Sequence, residues 1–247
     1  MKSNADKVDW DSLLVQYGIG AFETMRCMNG NIPLLPYHLK RITSVADDWG
    51  IANKEVEEKF YETLNSLPNE LSRVKILLAL NEENVLFSHR YLYPLVSDRK
   101  PRKLLLKKVD NLQKQNYKSC NYAFHFLEKK QAILKGYDDV CYEYHGCLHE
   151  CSSSALLLSN GTLGIVAKGK NLQSVSAAKL LNDNNGYWIK DKISLEKINE
   201  RDFSLFVSNA VQGIVPVKSL YNENGEIVYE STSDETLNHW NEVLFNE

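Results

Sequence analysis

Lys118 is the first residue whose surroundings could support covalent chemistry. It lies in the stretch NYKSCNYAFHFLEKKQA, between short polar residues and a tyrosine, just ahead of a segment that reads as a helix. A lysine amine is a nucleophile, and only an amine forms a Schiff base with an aldehyde. Because most lysines of a folded chain are solvated, residue type alone leaves Lys118 open as a surface residue or a nucleophile.

A second candidate is the group of thiols and imidazoles in YHGCLHEC. His145, Cys147, His149 and Cys151 carry atoms that can bind zinc. Zinc sites of this kind need a second pair of ligands at suitable spacing, and the rest of the sequence does not supply one. We therefore expect no metal site.

The composition argues against several classes of function. The 247 residues are 43% hydrophobic and 25% charged, and the net charge of -3 gives no basic excess for a nucleic-acid partner. The start, MKSNADKVDWDSLL, lacks the apolar core of a signal peptide, and no segment approaches the roughly 20 apolar residues of a membrane span. Five cysteines, an odd number, favour reduced thiols. We expect a cytoplasmic protein that acts on a small molecule, with no nucleic-acid or membrane partner.

The elements that must position these residues fall into two blocks. In the first, YGIGAFETMRCMNGNIPLL predicts a strand, an Asn-Gly turn and a second strand. HLKRITSVADDWGI has apolar residues at helical spacing with Gly50 as its stop, and a second helix is predicted from Lys54 to Leu67. SRVKILLALN, HRYLYPLVS and KPRKLLLKKV read as strands. We assign residues 1–110 to a small N-terminal domain and the polar residues 111–117 to a linker.

The second block, residues 118–247, is predicted to be the larger domain. It opens with a helix from Tyr122 to Leu134, closed by Gly136. Short alternating strands separated by Asn-Gly and His-Gly turns then predict an antiparallel or mixed sheet. Helices are predicted from Ser174 to Leu181 and from Ser233 to Phe245, the latter opening on a Ser-Asp-Glu run suited to an N-terminal cap.

Four motifs in this order resemble the fold-type IV enzymes that depend on pyridoxal 5'-phosphate (PLP). They are YGIGAFETMRCMNGNIPLLPYHLKRI, KSCNYAFHFLEKKQA, GCLHECSSSALLLSNGTL and FVSNAVQGIVPV, and together they span most of the chain. This family, the class IV aminotransferases, holds branched-chain aminotransferases, D-amino-acid aminotransferases and 4-amino-4-deoxychorismate lyases. The resemblance implies a mixed α+β and α/β fold of two domains, like that of D-amino-acid aminotransferase, with PLP in the cleft between them. It also implies a homodimer.

On this resemblance, Lys118 is the catalytic residue. It would form the Schiff base with the cofactor aldehyde and later move a proton between the substrate and the cofactor. Glu150 would keep the pyridine nitrogen protonated, so that the ring accepts electrons, and the small residues that follow it resemble a cofactor wall. Tyr122 matches a position beside the ring hydroxyl, although a lone aromatic residue is equally typical of a core.

The resemblance also implies a phosphate site. Arg41, in HLKR, matches the phosphate arginine of the family. Val175 and Ser176 match a turn that enters a helix, where amides and a hydroxyl would hold the phosphate. Asn209 and Ala210 match a second amide contact.

Several positions depart from the family pattern. The usual Asn is Ala155, the glycine of the phosphate turn is Ser174, and the arginine after the hydroxyl residue is Ala177. The Arg-Gly pair after SRVKILLAL is replaced by NEEN, and the usual strand before YGIGAF is short or missing. Because of these departures, the resemblance supports the predicted cofactor residues better than it supports a particular substrate.

Two reactions and one non-catalytic role stay open. Once the Cα proton leaves, reprotonation at the cofactor gives transamination, and loss of a β leaving group gives elimination. Ala210, FETMR and ECSSS favour the lyase, which would release pyruvate and 4-aminobenzoate for folate biosynthesis. Arg26 or Arg90 is then a candidate partner for substrate carboxylates, although either is equally consistent with a structural role. The alternatives are a branched-chain or D-amino-acid aminotransferase using 2-oxoglutarate, and a degenerate cofactor-fold protein that only binds or regulates.

Overall fold

The contacts within the chain divide it into two units. The structure is a computed structural model that describes residues 12–80, 86–95, 98–111, 116–183, 186–200, 202–231 and 237–245. The first unit comprises Met1–Val96 and Asn116–Ala123, and the second comprises Ser97–Gln115 and Phe124–Glu247. These units differ from the expected domains, which divide the chain at residues 110 and 118. Among the described residues, the strand in KPRKLLLKKV pairs with strands of the second unit, and Lys118 belongs to the first unit.

The first unit combines four helices with three strands. In chain order they are α1 (Leu13–Tyr17), β1 (Gly20–Cys27), α2 (Leu35–Thr43), α3 (Val45–Trp49), α4 (Asn53–Thr63), β2 (Ser72–Leu80) and β3 (Leu86–Pro94). The strands form an antiparallel sheet in the order β1-β2-β3. The predicted strands over ETMRC, SRVKILLAL and HRYLY are confirmed.

The two faces of this small sheet differ in composition. Side chains alternate between faces along a strand, and Met25 of β1 faces the same way as its partner Val74 of β2. Both are fully buried and belong to a core with Phe60 of α4. The opposite face, which we call the open face because it lies away from this core, carries Phe22 of β1 and Lys75 of β2.

Two local predictions in the first unit are wrong. The Asn-Gly turn forms, with positive φ at Asn29 and Gly30, but only the isolated bridge Met28–Asn31 follows it instead of a second strand. The single predicted helix in HLKRITSVADDWGI is two helices that meet at Ser44. The Ser44 hydroxyl donates to the Arg41 carbonyl at 2.7 Å, a local bond that competes with continuation of the helix.

The second unit is built on one large mixed sheet. Its elements are β4 (Arg102–Lys108), α5 (Ala123–Leu134), β5 (Asp139–Tyr144), β6 (Cys147–Cys151), β7 (Ala155–Ser159), β8 (Gly164–Ala167), α6 (Val175–Asn182), β9 (Trp188–Asp191), β10 (Ile193–Ser194), a 3₁₀ turn (Lys197–Asn199), β11 (Ser204–Asn209), β12 (Gly213–Tyr221), β13 (Ile227–Glu230) and α7 (Asn238–Phe245). The start predicted for the last helix, Ser233, lies outside the described residues.

Six strands of this sheet pair in a closed circuit. The order is β10-β6-β5-β4-β12-β11-β7-β8-β9, with β13 beside β12, and a further pairing joins β6 to β7. β4 runs parallel to β5 and to β12, and α5 lies on the crossover from β4 to β5. Apolar side chains from the circuit form the main core, among them Leu104, Leu156 and Val217. This mixed α/β architecture confirms the predicted fold class.

Two further observations concern whole-chain properties. All five cysteines are free thiols. In the part of the chain that the structure describes, each helix is too short or too polar to cross a bilayer.

Candidate active site

The backbone around Lys118 is fixed along β1. The Lys118 carbonyl accepts a hydrogen bond from the Phe22 amide, and the Cys120 amide donates to the Gly20 carbonyl, both at 2.8 Å. A bridge between Ala21 and Ser119 completes this short antiparallel contact. Gly20 allows this close approach, because a Cβ there would lie 2.8 Å from a Leu14 methyl group and 2.9 Å from the Cys120 sulfur. Lys118 is thus on a rigid strand-like segment rather than on a loose linker.

The Lys118 amine lies against two aromatic rings. Its Nζ is 5.1 Å from the Phe22 ring centroid and 5.0 Å from that of Tyr122. The two rings contact edge to face, with centroids 5.6 Å apart. Lys75 lies against the same Phe22 ring, with Nζ at 4.4 Å, and burial lowers the pKa of its amine. The open face of the small sheet therefore carries two amines around one aromatic ring.

Arg41 belongs to a buried charged group that the sequence analysis did not predict. The Arg41 Nε donates to Glu23 Oε1 at 2.6 Å, and its Nη2 donates to Oε2. The His38 Nδ1 also lies 2.6 Å from Glu23 Oε2. Glu23 and His38 are fully buried, and Arg41 is 8% exposed. The carboxylate thereby fixes both the arginine and the imidazole.

The charges in this group follow from its burial and its pairing. Burial raises the pKa of Glu23, but the positive charge of Arg41 and the hydrogen bonds from His38 and Arg41 outweigh it and lower that pKa to about 2. Burial lowers the pKa of His38 below its ordinary value, so the ring is neutral at pH 7. Since a carboxylate only accepts, Nδ1 carries the proton. The His38 Nε2 is then an acceptor, and it has no hydrogen-bond partner among the described residues.

The two candidate substrate arginines differ in their surroundings. The Arg26 side chain is buried and stands directly opposite Arg73 in the β1–β2 register, on the face that carries Phe22. Arg90 faces the other way, and its guanidinium donates to the carbonyls of Asn65 and Ser66 after α4. These bonds favour the structural role for Arg90.

Glu150 is held on β6 in the second unit. Its Oε2 accepts a hydrogen bond from the Leu172 amide at 3.1 Å, and its backbone pairs with Ala155 of β7. The side chain is half-buried. The carboxylate therefore has a fixed direction, at the place where β6 pairs with β7.

Two serine hydroxyls at the N-terminus of α6 contact each other, and one of them also contacts a serine of β11. Ser174 is the N-cap and its hydroxyl accepts from the Ala177 amide at 3.3 Å. Ser176 Oγ lies 3.0 Å from Ser174 Oγ and accepts from Ser208 Oγ at 2.9 Å. Val175 and Ser176 are buried, and the first turn has no acidic residue. The N-terminal helix dipole and these hydroxyls make a site suited to an anion.

Asn209 organises the turn between β11 and β12. Its side-chain oxygen accepts from the amides of Val211 and Gln212 at 3.0 and 2.9 Å, and its side-chain nitrogen donates to Ser154 Oγ at 3.1 Å. Ala210, at the apex of this turn, is buried.

The structure groups the predicted residues by unit. The first unit contains the predicted residues Arg26, Arg41, Arg90, Lys118 and Tyr122. The second unit contains Glu150, Val175, Ser176, Asn209 and Ala210.

The sequence did not predict Glu23 and His38 as partners of Arg41. Only their spacing ahead of Arg41 in FETMR and PYHLKR could have indicated them. Among the described residues, no group of three or more His, Cys, Asp or Glu side chains is arranged for a metal.

A comparison with models of protein families identifies the family of this chain. The model for amino-transferase class IV matches residues 20–220, most of the chain. The chain belongs to the class IV aminotransferase family. This membership confirms the predicted resemblance and the prediction of an enzyme. A search of curated protein sequences found no match.

Several solved structures share this fold at low sequence identity. A hypothetical aminotransferase from Mycobacterium tuberculosis in its PLP-bound form is 13% identical, with 99% of this chain and 94% of that chain covered and a TM-score of 0.77. The branched-chain amino acid aminotransferase from Escherichia coli is 15% identical (97% and 88% covered, TM-score 0.76). A protein from Legionella pneumophila assigned as a 4-amino-4-deoxychorismate lyase is 18% identical (94% and 92% covered, TM-score 0.75).

Proposed function

We propose that this class IV family member is a PLP-dependent enzyme in which Lys118 is the catalytic residue. The observation that carries the proposal is the amine of Lys118, held by β1 and placed against Phe22 and Tyr122. Bound PLP supplies an electron sink that acidifies the Cα–H bond of an amine substrate. Lys118 binds the cofactor covalently and moves the proton that leaves Cα.

The other side chains fit the remaining parts of the cofactor. Glu150 is a carboxylate of fixed direction, as is needed to keep a pyridine nitrogen protonated. In the second unit, Ser176 and the N-terminus of α6 supply donors that a phosphate needs. In the first unit, Arg41 has the positive charge that the family resemblance assigns to phosphate binding. Tyr122 lies within reach of the same amine as a partner for the ring hydroxyl. Asn209 and Ala210 supply the turn for a further backbone contact.

We infer that the reaction is the cleavage of 4-amino-4-deoxychorismate to pyruvate and 4-aminobenzoate. Ala210 supports it, because this small apolar residue replaces a hydroxyl residue that aminotransferases of the family often carry there. The substrate bears carboxylates, and Arg26 and Lys75 present positive charge on the face of the small sheet that carries Lys118's aromatic partner Phe22. The product would serve folate biosynthesis.

An aminotransferase acting on branched-chain or D-amino acids with 2-oxoglutarate is the second candidate. The similarity of the fold to that of the Escherichia coli branched-chain enzyme supports it. Such an enzyme must accept an amino acid and a keto acid in turn, whereas the lyase needs neither a second substrate nor a keto acid.

The oligomeric state and the cellular compartment of the enzyme are also predictions. The enzyme is proposed to act as a homodimer, and to work in the cytoplasm with its thiols reduced. The free state of all five cysteines is consistent with a reducing compartment.

A product assay tests the proposal. Purified protein loaded with PLP is expected to form 4-aminobenzoate and pyruvate from 4-amino-4-deoxychorismate without added keto acid. Strict dependence on 2-oxoglutarate, with glutamate formed from an amino acid, would instead identify an aminotransferase.

Two lysine variants make the assay specific for Lys118. Lys118→Ala is expected to lose both product formation and the visible absorption band of the bound cofactor while its far-UV circular dichroism stays unchanged. Lys75→Ala, which removes the other amine on the Phe22 ring, is expected to keep the band. Wild-type protein that stays colourless with excess PLP contradicts the proposed function.

A further inference from the structure

A buried carboxylate that the proposed chemistry does not use lies at the start of β5. Asp139 is 6% exposed. It accepts hydrogen bonds from the Val140 amide at 2.8 Å, from Ser153 Oγ at 2.6 Å and from Ser152 Oγ. Lys129 of α5 donates to it at 3.3 Å and to Ser153 Oγ at 2.8 Å. Four donors therefore converge on one charged group.

Asp139 holds one specific segment, the serine turn, Ser152–Ser154, that joins β6 to β7. Two backbone bonds support this turn. The Ser152 amide donates to the Val140 carbonyl at 2.9 Å, and the Cys151 amide donates to the Ser154 carbonyl at 2.8 Å. The side-chain bonds of Asp139 add a charged anchor, and bonds to a charged group are stronger than those between neutral groups.

The serine turn lies between two residues of the proposed site. Glu150 precedes it by two positions and pairs with Ala155, the residue that directly follows the turn. Ser154 accepts the hydrogen bond from the side-chain nitrogen of Asn209, whose oxygen holds the β11–β12 turn. A displacement of the serine turn would consequently move Glu150 and release Asn209.

We propose that Asp139 is a positioning residue that acts through the serine turn to fix the carboxylate of Glu150 for the cofactor. The inference rests on the proposed function of Glu150. Replacement by Asn keeps the size of the side chain but puts an NH₂ donor where the serine or lysine donors now point. The turn then loses part of its anchor even though the core volume is unchanged.

The test measures cofactor affinity and the pH dependence of the bound cofactor's visible absorption. Asp139→Asn is expected to weaken PLP binding about tenfold and to shift the pH midpoint of that absorption in the same direction as Glu150→Gln. The matched control is Asp138→Asn, one residue earlier, where the carboxylate binds the Lys103 amide and no serine. The control is expected to leave both quantities within twofold of wild type.

A double variant separates positioning from a general structural role. If Asp139 acts through Glu150, then Asp139→Asn in a Glu150→Gln background is expected to change PLP affinity by less than about threefold, because the group it positions is already gone. Equal effects in both backgrounds overturn the proposal, as does an Asp139→Asn protein that behaves like Asp138→Asn. If Asp139→Asn does not fold, Ser153→Ala takes its place, because it removes one of the hydrogen bonds to Asp139. Its effect on PLP affinity is then compared in the wild-type and Glu150→Gln backgrounds in the same way.

Failure of the inference and failure of the proposed function give different results. If Glu150→Gln changes affinity and absorption but Asp139→Asn does not, only the positioning role is wrong. If Glu150→Gln also has no effect, or wild-type protein does not bind PLP, both proposals fall.

Discussion

At the scale of single residues, one buried carboxylate on the core-facing side of β1 fixes the orientation of an arginine and a histidine. Glu23 ties Arg41 and His38 into one group, and its pKa of about 2 shows how strongly the ionised form is favoured. An arginine held in this way keeps one orientation, which costs less entropy when an anion binds. The same carboxylate makes the fold sensitive to acid.

Removal of the Glu23 charge is expected to destabilise the protein strongly at neutral pH. The folded pKa lies below the ordinary value of 4.5, so the ionised carboxylate stabilises the fold above about pH 4.5 and this contribution is lost as the pH falls toward 2. Glu23→Gln should lower the free energy of unfolding by about 3 kcal/mol at pH 7, because the buried Arg41 guanidinium then loses the negative charge of the Glu23 carboxylate. His38, whose pKa is lowered by burial, adds a loss that begins near pH 6.5.

Urea denaturation at several pH values checks this expectation. The difference between wild type and Glu23→Gln should shrink between pH 4.5 and pH 3. Glu57→Gln, at an exposed site on α4, serves as the control and should change little. A Glu23→Gln protein as stable as wild type at pH 7 would show that the buried group does not stabilise the fold.

At the scale of elements, α6 shows how a helix end acquires a function. Ser174 stands where the family pattern has a glycine, and it caps the helix with its own hydroxyl. Ser176, buried in the first turn, then accepts a bond from Ser208 of β11. The helix end is thereby held to the sheet, and its hydroxyls point inward rather than to solvent.

Loss of the Ser176 hydroxyl is expected to weaken PLP binding about tenfold, which is the effect of one hydrogen bond to a charged phosphate. Equilibrium titration of Ser176→Ala with PLP measures it. Ser159→Ala is the matched control, since Ser159 is a fully buried serine of β7 that bonds the Tyr187 hydroxyl. If both variants bind PLP equally, the Ser176 hydroxyl has only a structural role.

At the scale of the whole molecule, one helix exposes several large apolar side chains to solvent. In α5, Ala132 is buried, whereas Phe126, Leu127, Ile133 and Leu134 are 63%, 54%, 54% and 80% exposed. A patch of this kind is typical of an interface between subunits. Because α5 directly follows the segment that carries Lys118, a second copy on this face would also hold the segment of the proposed catalytic lysine in place.

The proposed homodimer is expected to form through α5. Light scattering should give about twice the chain mass of 28.3 kDa for wild-type protein. The double variant Phe126→Asp, Leu134→Asp should be monomeric, since two buried charges would be unpaired in the interface. Ile227→Asp, at an exposed residue of β13, should stay dimeric. A dimer that survives the α5 double variant would place the interface elsewhere.

Local patterns predicted most elements of the fold. Alternating apolar residues in ETMRC and SRVKILLAL, and the helical spacing in AFHFLEKKQAIL, identified strands and a helix that the structure contains. Predictions failed where one local bond redirected the chain, as at Ser44, and where an Asn-Gly turn led to a single bridge. The sequence also could not show that β4 pairs with β12, since those residues lie more than a hundred positions apart.

The sequence by itself determined the chemical types available to this protein: a lysine ahead of a helix, a glutamate in a strand, and serines at a helix start, in the order typical of class IV aminotransferases. Only the tertiary structure decided which groups are in contact. It turned Arg90 toward the carbonyls after α4, put Glu23 between Arg41 and His38, and anchored the serine turn on Asp139. The physical reason is that side-chain contacts across a sheet depend on register and burial, which distant parts of the chain fix together.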